Sequence, residues 1–276
     1  MANPWIAAGF ALFVWWFSTG AILVVVKRAD RQGGSAHVRA VAAGLPVLAL
    51  ACLGLVQTLE VATVAGVYIA FLSAIAIWGW FELAFLAGVL TGPNVRPCPP
   101  GVPGWERFLR AWGTIAYSEM ALVATTMLIV ALGWEAANPF GMWTFVILFL
   151  ARISAKLNVY LGVPNINTEF LPVPVQHLAS HFRVAPMNGF FPVAVTALAF
   201  AVACWLERAV AQEAGSAGLA GFALLAALTA LALVEHWLMV LPLPDQKLWQ
   251  WFLPETMDRG TPRRRPEKTI QERGRA

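Results

Sequence analysis

The chain contains little charge. Only 12% of its 276 residues are Asp, Glu, Lys or Arg, whereas 59% are hydrophobic and the mean hydropathy is +0.67. Soluble domains contain about 45–50% apolar residues. Windows of about 20 apolar residues recur along the chain, and a helix of that length crosses about 30 Å of hydrocarbon. The composition therefore predicts an all-α integral membrane protein, a helical bundle rather than a barrel.

Other absences exclude several classes of function. The three cysteines, Cys52, Cys98 and Cys204, are too few and too scattered for a disulfide framework. The chain lacks a Gly-rich phosphate loop and a Gly-x-Ser-x-Gly elbow, and its last apolar segment has no lysine for a retinal Schiff base. Basic and aromatic residues do not interleave as on a nucleic-acid surface, so the expected partner is the lipid bilayer and not a nucleic acid.

The apolar windows predict seven transmembrane helices. We place them at residues 4–26, 39–59, 63–91, 108–133, 139–162, 189–207 and 217–241. The first has no basic region before it and is long, so we interpret it as a span and not as a cleaved signal peptide. Residues 1–257 would form this seven-span domain, with a longer loop at about 163–188, and 258–276 would be a basic, disordered tail.

The distribution of Lys and Arg predicts the orientation of the bundle. These residues concentrate in the odd-numbered loops and the tail, whereas the even-numbered loops and the N-terminus hold only Arg208. Because positive loops stay in the cytoplasm, the N-terminus is expected outside, in the periplasm, and the C-terminus inside. The long loop at 163–188 would then be cytoplasmic. The expected location is the bacterial inner membrane, cytoplasmic or intracytoplasmic, as a multi-pass protein.

Several polar residues fall inside the predicted spans at overlapping depths. Charge at membrane depth is costly, so such groups need partners or a use. We predict a buried polar cluster that unites spans three, four, five and seven: Glu82, Glu119, Arg152, Lys156, Asn158 and Glu235. It could be a static network of salt bridges that fixes helix packing, or it could line a ligand or proton pathway. Lys156 alone could also extend its amine to the interface.

Three histidines suggest further sites. His236 follows Ala232 by four residues, a spacing that leaves room for a flat macrocycle, so His236 could ligate the magnesium of a chlorin; otherwise it is a packed, hydrogen-bonded histidine. His177 and His181 are spaced i, i+4, as two metal ligands on a helix would be. We expect instead an interfacial turn whose Leu178 and Phe182 pack into the lipid headgroups, with no metal bound.

Several motifs resemble those of a known family, over most of the chain up to about residue 241. They are Trp15-Trp16-Phe17-Ser18-Thr19-Gly20, Thr91-Gly92-Pro93, Pro97-Cys98-Pro99, Leu161-Gly162-Val163-Pro164-Asn165, Glu169-Phe170-Leu171-Pro172, Pro186-Met187-Asn188 and Phe191-Pro192-Val193. Together they resemble the PuhE family, described as photosynthetic complex assembly protein 2, whose members accompany reaction-centre genes of purple phototrophic bacteria. Where the family would have a histidine before the glutamate of span four, this chain has Tyr117-Ser118-Glu119.

The resemblance implies a role in assembling the photosynthetic apparatus or in regulating bacteriochlorophyll supply. Its implied partners are reaction-centre, light-harvesting or pigment-synthesis proteins, and it implies no catalytic residues, so we expect a non-enzymatic assembly factor. The loop after span five would present the partner surface, through Pro164, Asn165, Asn167, Glu169, Phe170, Pro172, His177 and His181. Two alternatives stay open: a carrier or enzyme for a bacteriochlorophyll precursor or other membrane-soluble ligand, with an intramembrane polar cavity, and a transporter of small ions or metabolites.

Overall fold

The structure is a computed structural model that describes residues 2–166, 168 and 171–241. Its helices are α1 (Pro4–Gln32), α2 (Ala36–Ala43), α3 (Leu45–Thr58), α4 (Val64–Leu86), α5 (Gly104–Gly133), α6 (Phe140–Leu161), α7 (Phe191–Val210) and α8 (Ala217–Leu238), with a 3₁₀ helix at Val173–His181. Apart from one bridge between Val163 and Val184, the described residues contain no β-structure. The chain is therefore all-helical where the structure describes it, as predicted.

Seven segments in the described part of the chain are long and apolar enough to cross a membrane. They correspond one to one to the predicted spans, although their ends differ. The third span ends at Leu86 rather than at residue 91. There Gly88 adopts φ 72°, a left-handed conformation that favours glycine and ends helices. This turn carries the chain out of the bundle toward the proline-rich loop.

The second span consists of two helices, α2 and α3, that meet at Gly44. Pro46 has no amide N–H and therefore interrupts the helical ladder. The indole of Trp80 packs against this break, and its Nε1 donates a hydrogen bond of 3.2 Å to the carbonyl of Val41. A Cβ at Gly44 would lie 3.0 Å from the Trp80 ring, so the glycine permits the close approach.

Helix α4 lies at the centre of the bundle. In its most apolar window 56% of the residues are buried, whereas the corresponding share for α1, α2–α3 and α7 is 17%. Phe71, Trp78, Phe145 and Leu224 join α4, α6 and α8 in one apolar core. The outer helices instead expose large apolar side chains, such as Phe200 at 71%. A bilayer would cover this surface, which is what membrane-spanning helices require.

The connections between helices gather at two ends of the bundle with different charge. We call one the basic end; it holds the connections that follow α1, α4 and α6. Its basic residues are Lys27, Arg28, Arg31, Arg39, Arg96, Arg107, Arg110 and Arg183. The opposite end holds Glu60, Glu135, Glu207, Arg208 and Glu213. This separation is the pattern on which the predicted orientation rests, and the orientation itself stays a prediction.

The described residues belong to one compact unit, Met1–Leu243. A second unit, Pro244–Ala276, lies outside the described residues. The predicted domain boundary at 257 and the predicted basic tail at 258–276 fall in that part of the chain and stay predictions.

Candidate functional site

Four of the charged residues predicted to cluster form an ion-pair network between α4, α5 and α6. Arg152 Nη1 donates to Glu82 Oε1, Arg152 Nε donates to Glu119 Oε1 at 3.3 Å, and Lys156 Nζ donates to the same Glu119 oxygen. The side chains of Arg152 and Glu119 are only 9% and 6% exposed. Two cations face two carboxylates, so the formal charges of the network cancel.

Local helix geometry explains why both cations reach the network. Arg152 and Lys156 are four residues apart on α6, and such residues share one face of a helix. Both also lie against an aromatic ring of α4: the Arg152 guanidinium carbon is 4.9 Å and the Lys156 Nζ is 4.6 Å from the centre of Phe85. Cations over aromatic faces are attracted by the ring quadrupole. The two cations are therefore held between acids and aromatic rings.

Asn158 does not join the network, contrary to the predicted membership. It lies two residues beyond Lys156, which is about 200° around the helix and hence on the opposite side of α6. Its side chain is fully buried; Nδ2 donates to the Ser154 carbonyl at 3.0 Å and Oδ1 accepts from Asn188 Nδ2 at 3.1 Å. Asn158 therefore connects α6 to the following loop.

Glu235 also makes a different contact from the predicted one. Its Oε1 accepts a hydrogen bond of 2.8 Å from Trp15 Nε1, which links α8 to α1. Among the described residues no cation pairs with it. The reason is that α8 brings Glu235 next to α1, whereas the paired acids come from α4 and α5.

A cavity of about 270 Å³ lies where α1, α4, α6 and α8 meet. Its walls are mostly apolar, and a few polar side chains face it: Trp15, Thr19, Glu82, Arg152, Glu235 and His236. The Nη2 atom of Arg152 is buried and has no hydrogen-bond partner within the described part of the chain. An apolar cavity with a few convergent polar groups is typical of a small-molecule site.

His236 lies on this cavity with both ring nitrogens in use. Nδ1 lies 2.8 Å from the Ala232 carbonyl, which can only accept, so Nδ1 carries the proton. Nε2 therefore accepts from the Ser154 hydroxyl, also at 2.8 Å. The imidazole is 2% exposed. Pigment ligation by His236 stays a prediction, and a magnesium ion would have to replace the Ser154 hydroxyl at Nε2.

His177 and His181 lie on the 3₁₀ helix at Val173–His181. With three residues per turn, positions i and i+4 are about 120° apart, so the two imidazoles leave the common face that an α-helix would give them. No group of three potential metal ligands occurs among the residues described. Burial lowers the pKa of both histidines, and for His181 a hydrogen bond to the Arg96 carbonyl partly opposes this.

Leu178 and Phe182 pack against the protein, which corrects the predicted packing into lipid headgroups. Leu178 is 6% exposed and forms a small core with Phe85 and Val175, and Phe182 packs against the same group. Since Phe85 belongs to the end of α4, the loop closes over the basic end of the bundle.

Other residues of the predicted motif loop also serve the fold. Asn165 caps the end of α8: its N–H donates to the Met239 carbonyl at 3.0 Å and its Nδ2 to the Leu241 carbonyl at 2.7 Å. Pro172 and His181 are buried and His177 is half-buried, whereas Pro164 and Asn165 are exposed. The predicted positions Asn167, Glu169 and Phe170 lie outside the described residues.

Comparisons with known proteins identify a family for this chain. A family described as "Protein of unknown function (DUF3623)" matches residues 1–259. The chain belongs to this family. It is also 53% identical, over 273 residues, to a protein of Rhodobacter capsulatus described as an uncharacterized 30.4 kDa protein in the puhA 5′ region. That alignment covers 99% of this chain and 96% of the relative. No solved structure matches the chain.

Two contacts of this DUF3623 member were missed by the sequence analysis. Asn188 joins the end of α6 to the start of α7: Nδ2 donates to the Gly162 carbonyl at 2.8 Å, and Oδ1 accepts from the N–H groups of Phe190 and Phe191 at 2.9 and 3.1 Å. An asparagine shortly before an apolar helix commonly accepts a hydrogen bond from the backbone N–H two residues on, so this signal was available. The pairing of Trp15 with Glu235 has no such local signal, because the residues are 220 positions apart.

Proposed function

We propose that the protein is an integral membrane assembly factor for the bacterial photosynthetic apparatus and belongs to the PuhE family. It would act in reaction-centre or light-harvesting assembly, or modulate bacteriochlorophyll supply, in the bacterial inner membrane. The observation that carries this proposal is the 53% identity, over 99% of the chain, to a Rhodobacter capsulatus protein encoded in the puhA 5′ region. The puhA region belongs to a photosynthesis gene cluster.

The geometry of the ion-pair network is compatible with a scaffolding role. Each cation has a carboxylate partner, and the network ties α4, α5 and α6 together. Charges that neutralise one another in this way can fix the packing of helices without further chemistry. Under this proposal Glu82, Glu119, Arg152 and Lys156 hold the bundle in one arrangement, and partners bind elsewhere.

The loop between α6 and α7 offers a surface for such partners. Among the loop residues that the structure describes, Val173, Val184 and Met187 are large apolar residues with 61%, 74% and 49% exposure, and we call them the loop patch. They lie outside the spanning helices, where lipid tails do not cover side chains. Exposed apolar residues mark a protein interaction site where they form a continuous patch. The loop patch, rather than the buried His181 and Pro172, would contact the partner.

Affinity purification from phototrophically grown cells tests the proposal. The tagged protein is expected to retrieve a reaction-centre, light-harvesting or pigment-synthesis protein, and Val184→Asp is expected to reduce the yield at equal amounts in the membrane. Val210→Asp is the matched control, because Val210 is 86% exposed at the other end of α7. If the wild-type protein retrieves none of these proteins above an untagged strain, the proposal fails.

A second candidate function is a carrier or enzyme for a bacteriochlorophyll precursor or another membrane-soluble ligand. The observation that favours it is the cavity of about 270 Å³ that reaches Arg152, Glu235 and His236. The absorption spectrum of protein purified gently from its native membrane tests it for pigments, followed by titration with bacteriochlorophyllide. Chlorin absorbance that co-purifies with the protein, or appears on titration, supports a pigment ligand; its absence in both experiments rules one out.

A further inference from the structure

We propose that the cavity between α1, α4, α6 and α8 binds the uncharged, ring-sized head of a membrane-soluble molecule, whose carbonyl oxygen accepts a hydrogen bond from Arg152. This inference rests on the second candidate function, in which the cavity is a ligand site, and it names the chemical class of the ligand. It is independent of whether the protein takes part in assembly.

The hydrogen-bonding state of Arg152 indicates an acceptor in the ligand. Nη1 and Nε of its guanidinium donate to Glu82 and Glu119, whereas Nη2 is buried without a partner among the described residues. The side chain is 9% exposed, and Arg152 lines the cavity. Buried donors are nearly always hydrogen-bonded, since leaving one unpaired is costly. A ligand oxygen at this wall would give Arg152 Nη2 the hydrogen-bond acceptor that it lacks.

The charges around the cavity favour a neutral ligand. Arg152 and Lys156 are balanced by Glu82 and Glu119, so the network offers no excess positive charge. Glu235 adds a further acid to the wall, and its one described partner is the neutral indole of Trp15. A carboxylate or phosphate would face Glu82 and Glu235 in an apolar environment, where like charges repel strongly. A carbonyl oxygen accepts the same hydrogen bond without adding charge.

The size and walls of the cavity favour a single ring. Its volume of about 270 Å³ is below the range of roughly 300–1,000 Å³ that holds drug-sized ligands, and a tetrapyrrole macrocycle is larger still. The indoles of Trp15 and Trp78 are part of the lining. Trp78 is held edge-on against Phe145, with ring centres 5.5 Å apart. Fixed aromatic walls of this kind suit a flat ring, such as that of a quinone.

Binding of a decyl-substituted benzoquinone to the purified full-length protein tests the inference. Decylbenzene, which has the same chain and no carbonyl, is the matched probe, and affinity is measured by quenching of tryptophan fluorescence and by the shift in melting temperature. Arg152→Lys keeps the positive charge and loses Nη2, and Ala232→Leu fills the cavity, which Ala232 lines. Ala230→Leu on the same helix is the control, because Ala230 is half-buried and does not line the cavity.

We expect the wild-type protein and Ala230→Leu to bind the quinone with similar affinity. Arg152→Lys should bind about tenfold more weakly or worse, as expected for the loss of one charge-assisted hydrogen bond, and Ala232→Leu should also bind poorly. Decylbenzene should bind weakly to all four proteins. If Arg152→Lys does not fold, Ala232→Leu against Ala230→Leu still decides whether the cavity is the site.

Four results would overturn the inference. Equal binding of the quinone to all variants would place the site elsewhere, and equal affinity for decylbenzene would remove any role for the carbonyl. No binding of the quinone, together with chlorin absorbance after titration with bacteriochlorophyllide, would overturn the ligand class and leave the second candidate function standing. No binding of the quinone and no binding of bacteriochlorophyllide would overturn the inference and also exclude a pigment as the ligand of the second candidate function.

Discussion

Arg152 contacts carboxylates from two different helices through one guanidinium group. The planar, forked arrangement of its donors allows this, whereas an ammonium group is a single point of charge. Among the described residues Lys156 pairs with one carboxylate, that of Glu119, and it is more accessible, with its side chain 28% exposed against 9% for Arg152. Removing Arg152 therefore breaks ion pairs with two helices, whereas removing Lys156 breaks an ion pair with one.

We expect Arg152→Ala to destabilise the protein more than Lys156→Ala. Removing one partner of a buried ion pair costs about 3–5 kcal/mol, because the other charge stays buried without compensation. Removing Arg152 leaves Glu82 without its described cation, whereas Lys156→Ala leaves both acids in contact with Arg152. Membrane accumulation and thermal unfolding in detergent measure the difference, with Arg152→Lys as the conservative control. Equal loss for both alanine variants would contradict the expectation.

His181 predicts a dependence of stability on pH. Burial lowers its pKa below the ordinary value of 6.5, so the folded protein keeps His181 neutral at a pH where the unfolded chain begins to bind a proton. The contribution of neutral His181 to the free energy of unfolding is fully present above pH 6.5. It is lost as the pH falls from there toward the pKa of His181 in the folded protein. His177 shifts in the same direction.

Thermal unfolding between about pH 7.5 and 5.5, around the ordinary histidine pKa, measures this effect. The midpoint temperature should fall as the pH falls, and the fall should be smaller in His181→Gln. A glutamine amide can still donate to the Arg96 carbonyl that His181 Nε2 contacts at 3.3 Å, so the variant removes the titration with little loss of contact. A variant with the wild-type pH profile would show that His181 is not responsible.

At the scale of elements, the loop between α6 and α7 behaves as a packed cover over the basic end. Arg107 of α5 donates to the carbonyls of Tyr160 and His181, at 2.8 and 3.0 Å, and Asp30 of α1 accepts from the Val173 N–H at 3.3 Å. Cys98 N–H donates to Ser180 Oγ at 2.8 Å. The loop therefore connects α1 with α5 and with the α4–α5 connection.

Asn188 is the residue whose change should loosen this cover most directly. Asn188→Ala loses the hydrogen bonds to Gly162 and Asn158 and those from the N–H groups of Phe190 and Phe191, and we expect a cost of about 1–2 kcal/mol. Asn188→Ser should be intermediate, since a serine hydroxyl still accepts from these N–H groups but does not reach both carbonyls. Thermal unfolding in detergent measures both variants, and wild-type stability of Asn188→Ala would show that the asparagine is dispensable.

For the whole molecule, the two ends of the bundle differ in charge, and this asymmetry predicts the orientation in the membrane. The basic end carries the cations of the connections after α1, α4 and α6. Positive residues close to span ends are retained in the cytoplasm. Cys98 lies in the connection between α4 and α5 at this end and is a free thiol, which makes it a natural reporter.

We expect a membrane-impermeant maleimide to label Cys98 in inverted vesicles and not in intact spheroplasts. Replacement of Cys52 and Cys204 by serine removes the other thiols. Ala137→Cys in a protein that also carries Cys98→Ser is the reciprocal control, because Ala137 is exposed in the connection between α5 and α6 at the opposite end. Labelling of Cys98 from outside and of Ala137→Cys from inside would show that the orientation is opposite to the predicted one.

The sequence by itself determined the all-helical class, the seven helices of membrane-spanning length in the described residues and four members of the ion-pair network. These follow from local properties: the length of an apolar run decides whether it crosses the bilayer, and a charge within such a run requires a partner. The spacing of Arg152 and Lys156 on one helix face is equally local. The family resemblance added an expected link to photosynthesis genes, and the relative from the puhA 5′ region supports this link.

The tertiary structure alone decided which partner each polar group has. Glu235 pairs with Trp15 and Asn158 with Asn188, because the rotation and neighbours of each helix depend on packing against distant segments. The same packing turns Leu178 inward, and it forms the cavity beside Arg152 from four helices. Such arrangements depend on many small contacts between segments far apart in the chain, so a local sequence pattern does not predict them.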